Sequence, residues 1–218
     1  MLTLALDAST YTGTVAVIAG GTVLAERETA MRGEQEERLM PAVAEALADA
    51  AVAPLDVRRV VCGAGPGRFT SLRIAVAIGK GIASAAGAEL VAVPSLLLIV
   101  AGARSPLPAG HYLPVLDAMR GDCFVAHIEI TAGGELVERA PARLVARHAI
   151  PDLARDRMAR VIGAGESIDG RPHARGAVLL GGRVAMPPTV DLATWEPDYG
   201  RLAEAQLKWE LTHGRTLM

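Results

Sequence analysis

The order of β-rich runs and helical stretches in the first hundred residues is the feature that most limits the fold. Three β-rich runs joined by short Gly and Thr turns come first and predict an antiparallel meander. An amphipathic helix over residues 35–51, a strand over 59–63, a helix over 70–86 and a strand over 89–93 follow. A meander that continues into β-α-β units requires a mixed sheet, so the pattern predicts an α/β fold.

A Pro- and Gly-rich stretch over residues 105–110 predicts a boundary, with residues 1–105 and 106–218 as two domains. The second half is less regular. Its predicted elements are strands over 111–116, 123–130, 135–139 and 159–162, a helix over 148–158 and a strand near 177–180. A last helix over about residues 199–213 is expected to pack back on the first domain.

The composition excludes several classes of function. The 218 residues are 51% apolar and 21% charged with a net charge of −2, which excludes a disordered chain and a strongly basic nucleic-acid-binding surface. Aromatic residues make up only 3%, which disfavours a base-stacking platform. No apolar run has the length of about 20 residues that a membrane span needs. Residues 1–9 lack the basic start of a secretory signal, so we predict a cytoplasmic protein.

The predicted helix over residues 70–86 has unusually few polar positions. Arg73, Lys80 and Ser84 fall within about 40° of one another on a helical wheel. An ordinary surface helix has an apolar stripe only a little over about 100° wide. Either the chain buries this helix completely, or another protein covers part of it. We favour the second alternative, which predicts a helical interface.

No catalytic arrangement or metal site is evident in the sequence. None of the five histidines forms an H-x-x-x-H or H-E-x-x-H pair, and the first 110 residues contain no histidine. The two cysteines lie far apart inside apolar runs, where buried thiols are expected. We therefore predict neither a metal ligand set nor a catalytic nucleophile.

Two turns are candidates for binding phosphate. Asp7 ends the first strand and is followed by Ser9 and Thr10, which resembles the phosphate-binding hairpins of the actin/Hsp70/sugar-kinase superfamily, where the acid holds a magnesium-bound water. Gly65 and Gly67 lie between a strand and a helix, where backbone N–H groups can bind an anion. The same residues also fit a purely structural role, as a hydroxyl turn and as glycines that shape a loop.

Four motifs together resemble the TsaB (YeaZ) family. They are LDAST at residues 6–10, ERLMP at 37–41, GPGRFTSLRI at 65–74 and DAMRGD at 117–122. The resemblance is clearest over residues 1–125. The family usually has Ser where Arg68 stands and Gly where Ser71 stands.

The resemblance implies two actin-like (ribonuclease H-like) lobes with mixed β-sheets and flanking helices. It also implies a non-catalytic subunit that binds and activates a TsaD-like transferase, which threonylcarbamoylates the adenosine next to the anticodon of tRNA. Further implied partners are a TsaE-like ATPase and, when the protein is alone, a second copy of the chain. Neither a membrane nor autonomous tRNA binding is expected. No cofactor is required, although a weak site for adenine nucleotide with magnesium is implied.

In the family, the interface helices correspond to residues 35–51 and 70–86 of this chain. The residues expected at the interface are Arg38, Leu39, Val43, Arg73, Ile74, Ala77, Ile78, Gly81 and Ile82. The alternative function is a small-molecule kinase or ATPase of the actin/Hsp70 superfamily that uses Asp7 and magnesium. A metallopeptidase follows only from the family's former grouping with the M22 glycoproteases, and the histidine pattern argues against it.

Overall fold

The computed structural model of the protein describes residues 1–31 and 38–200. The first lobe is built on a five-stranded mixed sheet in the order β3-β2-β1-β4-β5. Its strands are β1 (Leu2–Asp7), β2 (Thr12–Ala19), β3 (Thr22–Ala30), β4 (Arg59–Gly63) and β5 (Glu89–Val93). The first three strands form an antiparallel meander, and β4 and β5 extend the sheet in parallel with β1.

Helices cover both faces of the first sheet. Helices α1 (Leu39–Asp49) and α2 (Phe69–Ala86) pack on one face, where their apolar residues share a core with β1, β2 and β4. Helix α3 (Ser95–Ala101) packs on the opposite face, in a core built from residues of both lobes. Because α3 is enclosed by both lobes, its LLLIV run needs no polar face.

The second lobe repeats the strand order of the first. Its sheet has the order β8-β7-β6-β9-β10, with the same antiparallel and parallel pairings. The elements are β6 (Gly110–Asp117), β7 (Asp122–Ile130), β8 (Leu136–Ala146), α4 (Ile150–Asp156), β9 (Ala159–Gly163) and β10 (Ile168–Asp169). The predicted fold of two ribonuclease H-like lobes with mixed sheets and flanking helices is therefore confirmed.

The chain returns from the second lobe to the first twice. A 3-10 helix over Ala174–Leu179 packs on β2 and α3, and the backbone N–H of Ala174 donates to Oγ1 of Thr14 at 3.0 Å. Residues 189–200, which we call the strap, then run along β5 and α2. The backbone N–H of Val190 donates to the carbonyl of Leu90 at 2.9 Å.

Several boundaries differ from the prediction. The strand expected near residues 177–180 is wrong, because an apolar 3-10 helix occupies that stretch. Strand β8 runs to Ala146, well beyond residue 139. The expected division between residues 105 and 106 falls between the two sheets and stays a prediction. Residues 35–37 of the first predicted helix, and nearly all of the last one, lie outside the described residues.

Candidate functional site

Helix α2 has an apolar side that points away from its sheet. The helix ends where Gly87 adopts a left-handed conformation with φ of 61° and the N–H of Ala88 bonds back to the carbonyl of Ala83. The residues buried against the sheet are Leu72, Ala75, Val76, Gly79 and Ala83. The opposite side, which we call the α2 outer face, consists of Ile74, Ala77, Ile78, Gly81 and Ile82.

The α2 outer face is accessible to solvent in the isolated chain. Ala77 and Gly81 are exposed, and the three isoleucines are only partly buried at the edge of the core. The alternative that the chain buries this helix completely is therefore wrong. Small residues beside branched apolar ones give a surface into which the ridge of another helix can fit.

The strap binds the two cationic side chains of α2. The Lys80 ammonium donates to the carbonyl of Trp195 at 2.6 Å, and Nε of Arg73 donates to the Tyr199 hydroxyl at 3.1 Å. These two cations therefore lie on the flank of the helix that the strap covers. The α2 outer face is left apolar. A surface helix of 18 residues ordinarily carries polar residues on the side that faces away from its sheet.

Helix α1 contributes less to this surface than the sequence indicates. Arg38 is exposed at its start, but Leu39 and Val43 are fully buried in the core of the first lobe. The assignment of Leu39 and Val43 to a partner interface is therefore corrected. Their four-residue spacing marks the stripe that faces β2 and β3, which is the chain's own sheet. The outward residue that the prediction missed is Met40, which is 45% exposed.

Asp7 is enclosed by the protein. One carboxylate oxygen accepts hydrogen bonds from the Ser9 backbone N–H at 2.9 Å and hydroxyl at 2.7 Å, and the other accepts from the Ser95 hydroxyl at 2.5 Å. Burial raises the pKa of Asp7, and the hydrogen bonds from both serines oppose that rise. The side chain is inaccessible to solvent. Asp7 therefore fastens the end of β1 to α3 and does not face the cleft between the lobes.

The glycine-rich turn is also filled by protein. A Cβ at Gly65 would collide with the backbone carbonyl of Asp198 in the strap, and one at Gly67 would collide with the backbone of Ser9. The carbonyl of Ser9 also accepts a hydrogen bond from the N–H of Arg68 at 2.9 Å. These glycines allow three chain segments to meet closely. The contacts therefore favour the interpretation in which the glycines shape a loop over the one in which they bind phosphate.

Two cavities lie in the cleft between the lobes. The larger measures about 460 Å³ and is lined by four of the chain's seven aromatic side chains, Tyr11, Phe69, Phe124 and Tyr199. The smaller measures about 320 Å³ and includes Ser9, Thr10, Arg147 and Arg171 in its wall. Arg68 and Tyr11 line both cavities, and the guanidinium carbon of Arg68 lies 3.3 Å from the centre of the Tyr11 ring.

The cleft residues do not fit the implied magnesium-nucleotide site. The carboxylate expected to hold the metal-bound water is inaccessible, and the glycine turn leaves no open phosphate cradle at Gly65. Ser9 and Thr10 line the smaller cavity, and Gly67 lines the larger one. Within residues 1–31 and 38–200, no group of three or more His, Cys, Asp or Glu side chains is placed to hold a metal ion.

Helix α2 also has the length and composition of a membrane span, with a mean hydropathy of 1.2. It connects two parallel strands of one sheet, however, and its buried side packs against that sheet. The fold is that of a soluble α/β protein, and packing in the first lobe accounts for the apolar residues on the sheet side.

Comparisons with known proteins agree with the motifs and the fold. The model of a family described as "TsaD: tRNA N6-adenosine threonylcarbamoyltransferase" matches residues 24–166. The tRNA threonylcarbamoyladenosine biosynthesis protein TsaB of Bacillus subtilis is 28% identical, over 96% of this chain and 98% of that protein. The Escherichia coli protein of the same name is 28% identical over 88% of this chain and 84% of its own length.

Two solved structures from Pseudomonas aeruginosa have the same fold. One is described as an uncharacterized protein with similarity to peptidase YeaZ, and it superposes with a TM-score of 0.74 at 25% identity, covering 92% of this chain and 99% of that one. The other, YeaZ itself, superposes with a TM-score of 0.70 at 25% identity, covering 90% of this chain and 98% of that one. The resemblance drawn from the four motifs is thus confirmed, and the chain belongs to the TsaB (YeaZ) family, within the group that the TsaD family model covers.

Proposed function

We propose that this protein is a non-catalytic subunit of tRNA threonylcarbamoyladenosine biosynthesis that binds and activates a TsaD-like transferase through the α2 outer face. The relatives in Bacillus subtilis and Escherichia coli are named for that pathway. In the absence of the transferase, the same face supports self-association, and a TsaE-like ATPase joins the assembled pair. The protein works in the cytoplasm and does not bind tRNA by itself.

The observation that carries this proposal is that three isoleucines on one side of α2 are only partly buried. Complete burial of an isoleucine side chain is favourable by about 1.5–3 kcal/mol relative to full exposure. Ile74, Ile78 and Ile82 obtain only part of this within the monomer, since they lie at the edge of the core. A partner helix that packs over Ala77 and Gly81 would complete their burial and could approach the α2 backbone closely.

The position of Asp7 supports a non-catalytic role over the kinase or ATPase alternative. A magnesium-dependent phosphoryl transfer needs a carboxylate that reaches the metal or its water. Asp7 is inaccessible to solvent and bonded to Ser9 and Ser95 on both oxygens. The kinase or ATPase alternative depends on Asp7, and Asp7 instead holds β1 and α3 together.

The test measures binding to the purified TsaD-like protein of the same organism. Ile78→Glu places a charge on the α2 outer face, and we expect at least about a hundredfold loss of affinity, as for a central interface residue. Leu144→Glu is the matched control, because Leu144 is 43% exposed on β8 of the second lobe. It should bind as the unmodified protein does.

The same pair of variants tests how the face is used. Sedimentation velocity should show that Ile78→Glu also loses self-association, whereas Leu144→Glu retains it. Reconstituted tRNA threonylcarbamoylation should fall with transferase binding. If Ile78→Glu binds the transferase and itself as tightly as the unmodified protein, the proposed function of the α2 outer face is wrong.

A further inference from the structure

Two arginines at the start of α2 are held in place by aromatic rings. The Arg68 guanidinium lies over the Tyr11 ring, with its carbon 3.3 Å from the ring centre. The Arg73 guanidinium carbon lies 4.1 Å from the centre of the Phe69 ring and 5.6 Å from that of Tyr199, whose hydroxyl accepts from Nε of Arg73. Phe69 and Tyr199 themselves contact each other, with ring centres 4.6 Å apart. Both guanidinium groups are therefore oriented before any partner arrives.

Neither guanidinium is neutralised within the described part of the chain. The ion pairs there join other arginines to carboxylates, and the one further polar contact of Arg68 is with the sulfur of Met119 at 3.8 Å. Arg68 forms part of the wall of the larger cleft cavity, and Arg73 stacks on Phe69 and Tyr199, which also line it. Asp117 is the one carboxylate among the described residues of that wall, and an oxygen of it accepts from the backbone N–H of Met119. The amino groups of two oriented cations thus remain available beside a cavity of about 460 Å³.

We propose that this cavity receives a carboxylate side chain of the transferase partner, which bonds to Arg68 and Arg73. The proposal rests on the proposed function, because the cavity and the α2 outer face share Ile74 and form one continuous surface. A guanidinium presents paired N–H groups that match a carboxylate. Since both groups are already ordered by stacking, less side-chain entropy is lost when the bond forms.

A second copy of this chain is a poorer source of the carboxylate. Helix α2 contains no Asp or Glu. The acidic residues of the neighbouring helix α1, Glu45 and Asp49, already pair with Arg27 of β3. Within the described residues, self-association through α2 would therefore bury the isoleucines, while neither α1 nor α2 offers the arginines an unpaired carboxylate. The proposal accordingly predicts that the arginines distinguish the transferase from a second copy.

A nucleic acid is disfavoured as the source of the anion. Phosphate binding of useful strength needs several cations spread along a surface, and the chain has a net charge of −2. Within the described residues, the two arginines stand beside an apolar helix face, which fits the rim of a protein interface better.

The experiment compares Arg68→Gln/Arg73→Gln with the control Arg155→Gln, whose exposed side chain pairs with Asp152 in the second lobe. Affinity for the purified TsaD-like protein is measured by calorimetry at about 50 mM and about 500 mM NaCl. We expect the double variant to bind about a hundredfold more weakly at low salt, or about tenfold for each arginine, and to show a weaker dependence on salt. Self-association and thermal unfolding should match the unmodified protein, and Arg155→Gln should match it in every measurement.

A conservative variant separates charge from geometry. Arg73→Lys keeps the charge but loses the planar group, so we expect a loss of affinity smaller than that of Arg73→Gln yet measurable. If the double variant binds the transferase normally at both salt concentrations while Ile78→Glu does not bind, the carboxylate proposal is refuted and the proposed function stands. An equal loss of self-association, or a loss of tRNA affinity by the assembled complex without a loss of transferase affinity, also refutes it.

Discussion

Acidification should destabilise the protein through one buried histidine at the junction of the lobes. His173 is 3% exposed and precedes the 3-10 helix that packs on the first lobe. Its Nδ1 accepts the backbone N–H of Arg175 at 3.1 Å, and its Nε2 lies 3.4 Å from the Glu28 carboxylate. Protonation of the neutral ring would place a proton on Nδ1, facing that N–H, so the hydrogen bond would be lost.

Burial and the Arg175 guanidinium lower the pKa of His173 to about 4, although the Glu28 carboxylate acts in the opposite direction. The unfolded chain has a histidine pKa of about 6.5. Between these values the unfolded state binds more protons than the native state, so the free energy of unfolding falls as the pH falls. The contribution is complete above about pH 6.5, and about 3 kcal/mol of it is lost by pH 4, since each pKa unit corresponds to about 1.4 kcal/mol.

The assay is urea unfolding at several values between about pH 7 and pH 4.5, compared for the unmodified protein and His173→Asn. Asparagine keeps an acceptor for the Arg175 N–H but does not titrate, so its profile should be flatter by most of that amount. His148→Asn, at an exposed histidine, is the control and should follow the unmodified protein. Parallel profiles for the first two proteins, or an NMR titration of the His173 ring with a midpoint near its unfolded value, would refute the reasoning.

Four further predictions concern the cleft, the core and helix α2. Asp7→Ala should lower the free energy of unfolding by about 2–3 kcal/mol, because it leaves the buried groups of Ser9 and Ser95 unpaired; unchanged stability with loss of ATP binding would instead favour the kinase. Gly67→Ala should destabilise by about 1–3 kcal/mol in urea unfolding, owing to its collision with Ser9. Gly81→Ala, which meets open space, should stabilise by up to about 1 kcal/mol, and equal effects of the two would contradict this account. Burial raises the pKa of the Cys62 thiol, and both cysteines are buried, so a thiol reagent should modify them only after unfolding; rapid reaction of the native protein would contradict that prediction.

The regular elements of the first lobe were predictable because their sequence patterns are local. A buried parallel strand such as Arg59–Gly63 is a continuous apolar run, and its ends match the prediction. The stretch at Ala174–Leu179 is equally apolar, yet it forms a 3-10 helix rather than a strand. There Gly176 packs directly on the backbone of Ala101 and Gly102, and Ala174 bonds to Thr14. Those contacts depend on residues far away in the chain, which no local pattern contains.

For the candidate site too, the sequence predicted some features correctly and missed those that depend on contacts with distant residues. A four-residue spacing shows that Leu39 and Val43 lie on one side of α1, but it does not show what that side faces, and it faces the sheet. Asp7 likewise has the residue type and position of a metal-holding acid, and only its enclosure by Ser9 and Ser95 shows a structural role. For α2 the sequence correctly predicted incomplete burial, because apolar residues on both sides exceed what one sheet can cover; that a partner covers the outward side stays a prediction.

The repetition of strand order in the two lobes bears on why the proposed binding surface lies on the first lobe. Each lobe places a crossover between its last two parallel strands. In the first lobe this crossover contains α2, with 18 residues, whereas β9 and β10 are joined by the short segment 164–167 without a helix. Up to residue 200, where the described part of the chain ends, the second lobe has no helix that corresponds to α2. The long helix is thus present at only one of two equivalent positions, and its outward side is apolar. Cover by another protein would account for both features, because it would bury that apolar side. Replacing the outward isoleucines by polar residues should accordingly abolish assembly, while the monomer loses only the stability that comes from the part of each side chain that its own core buries.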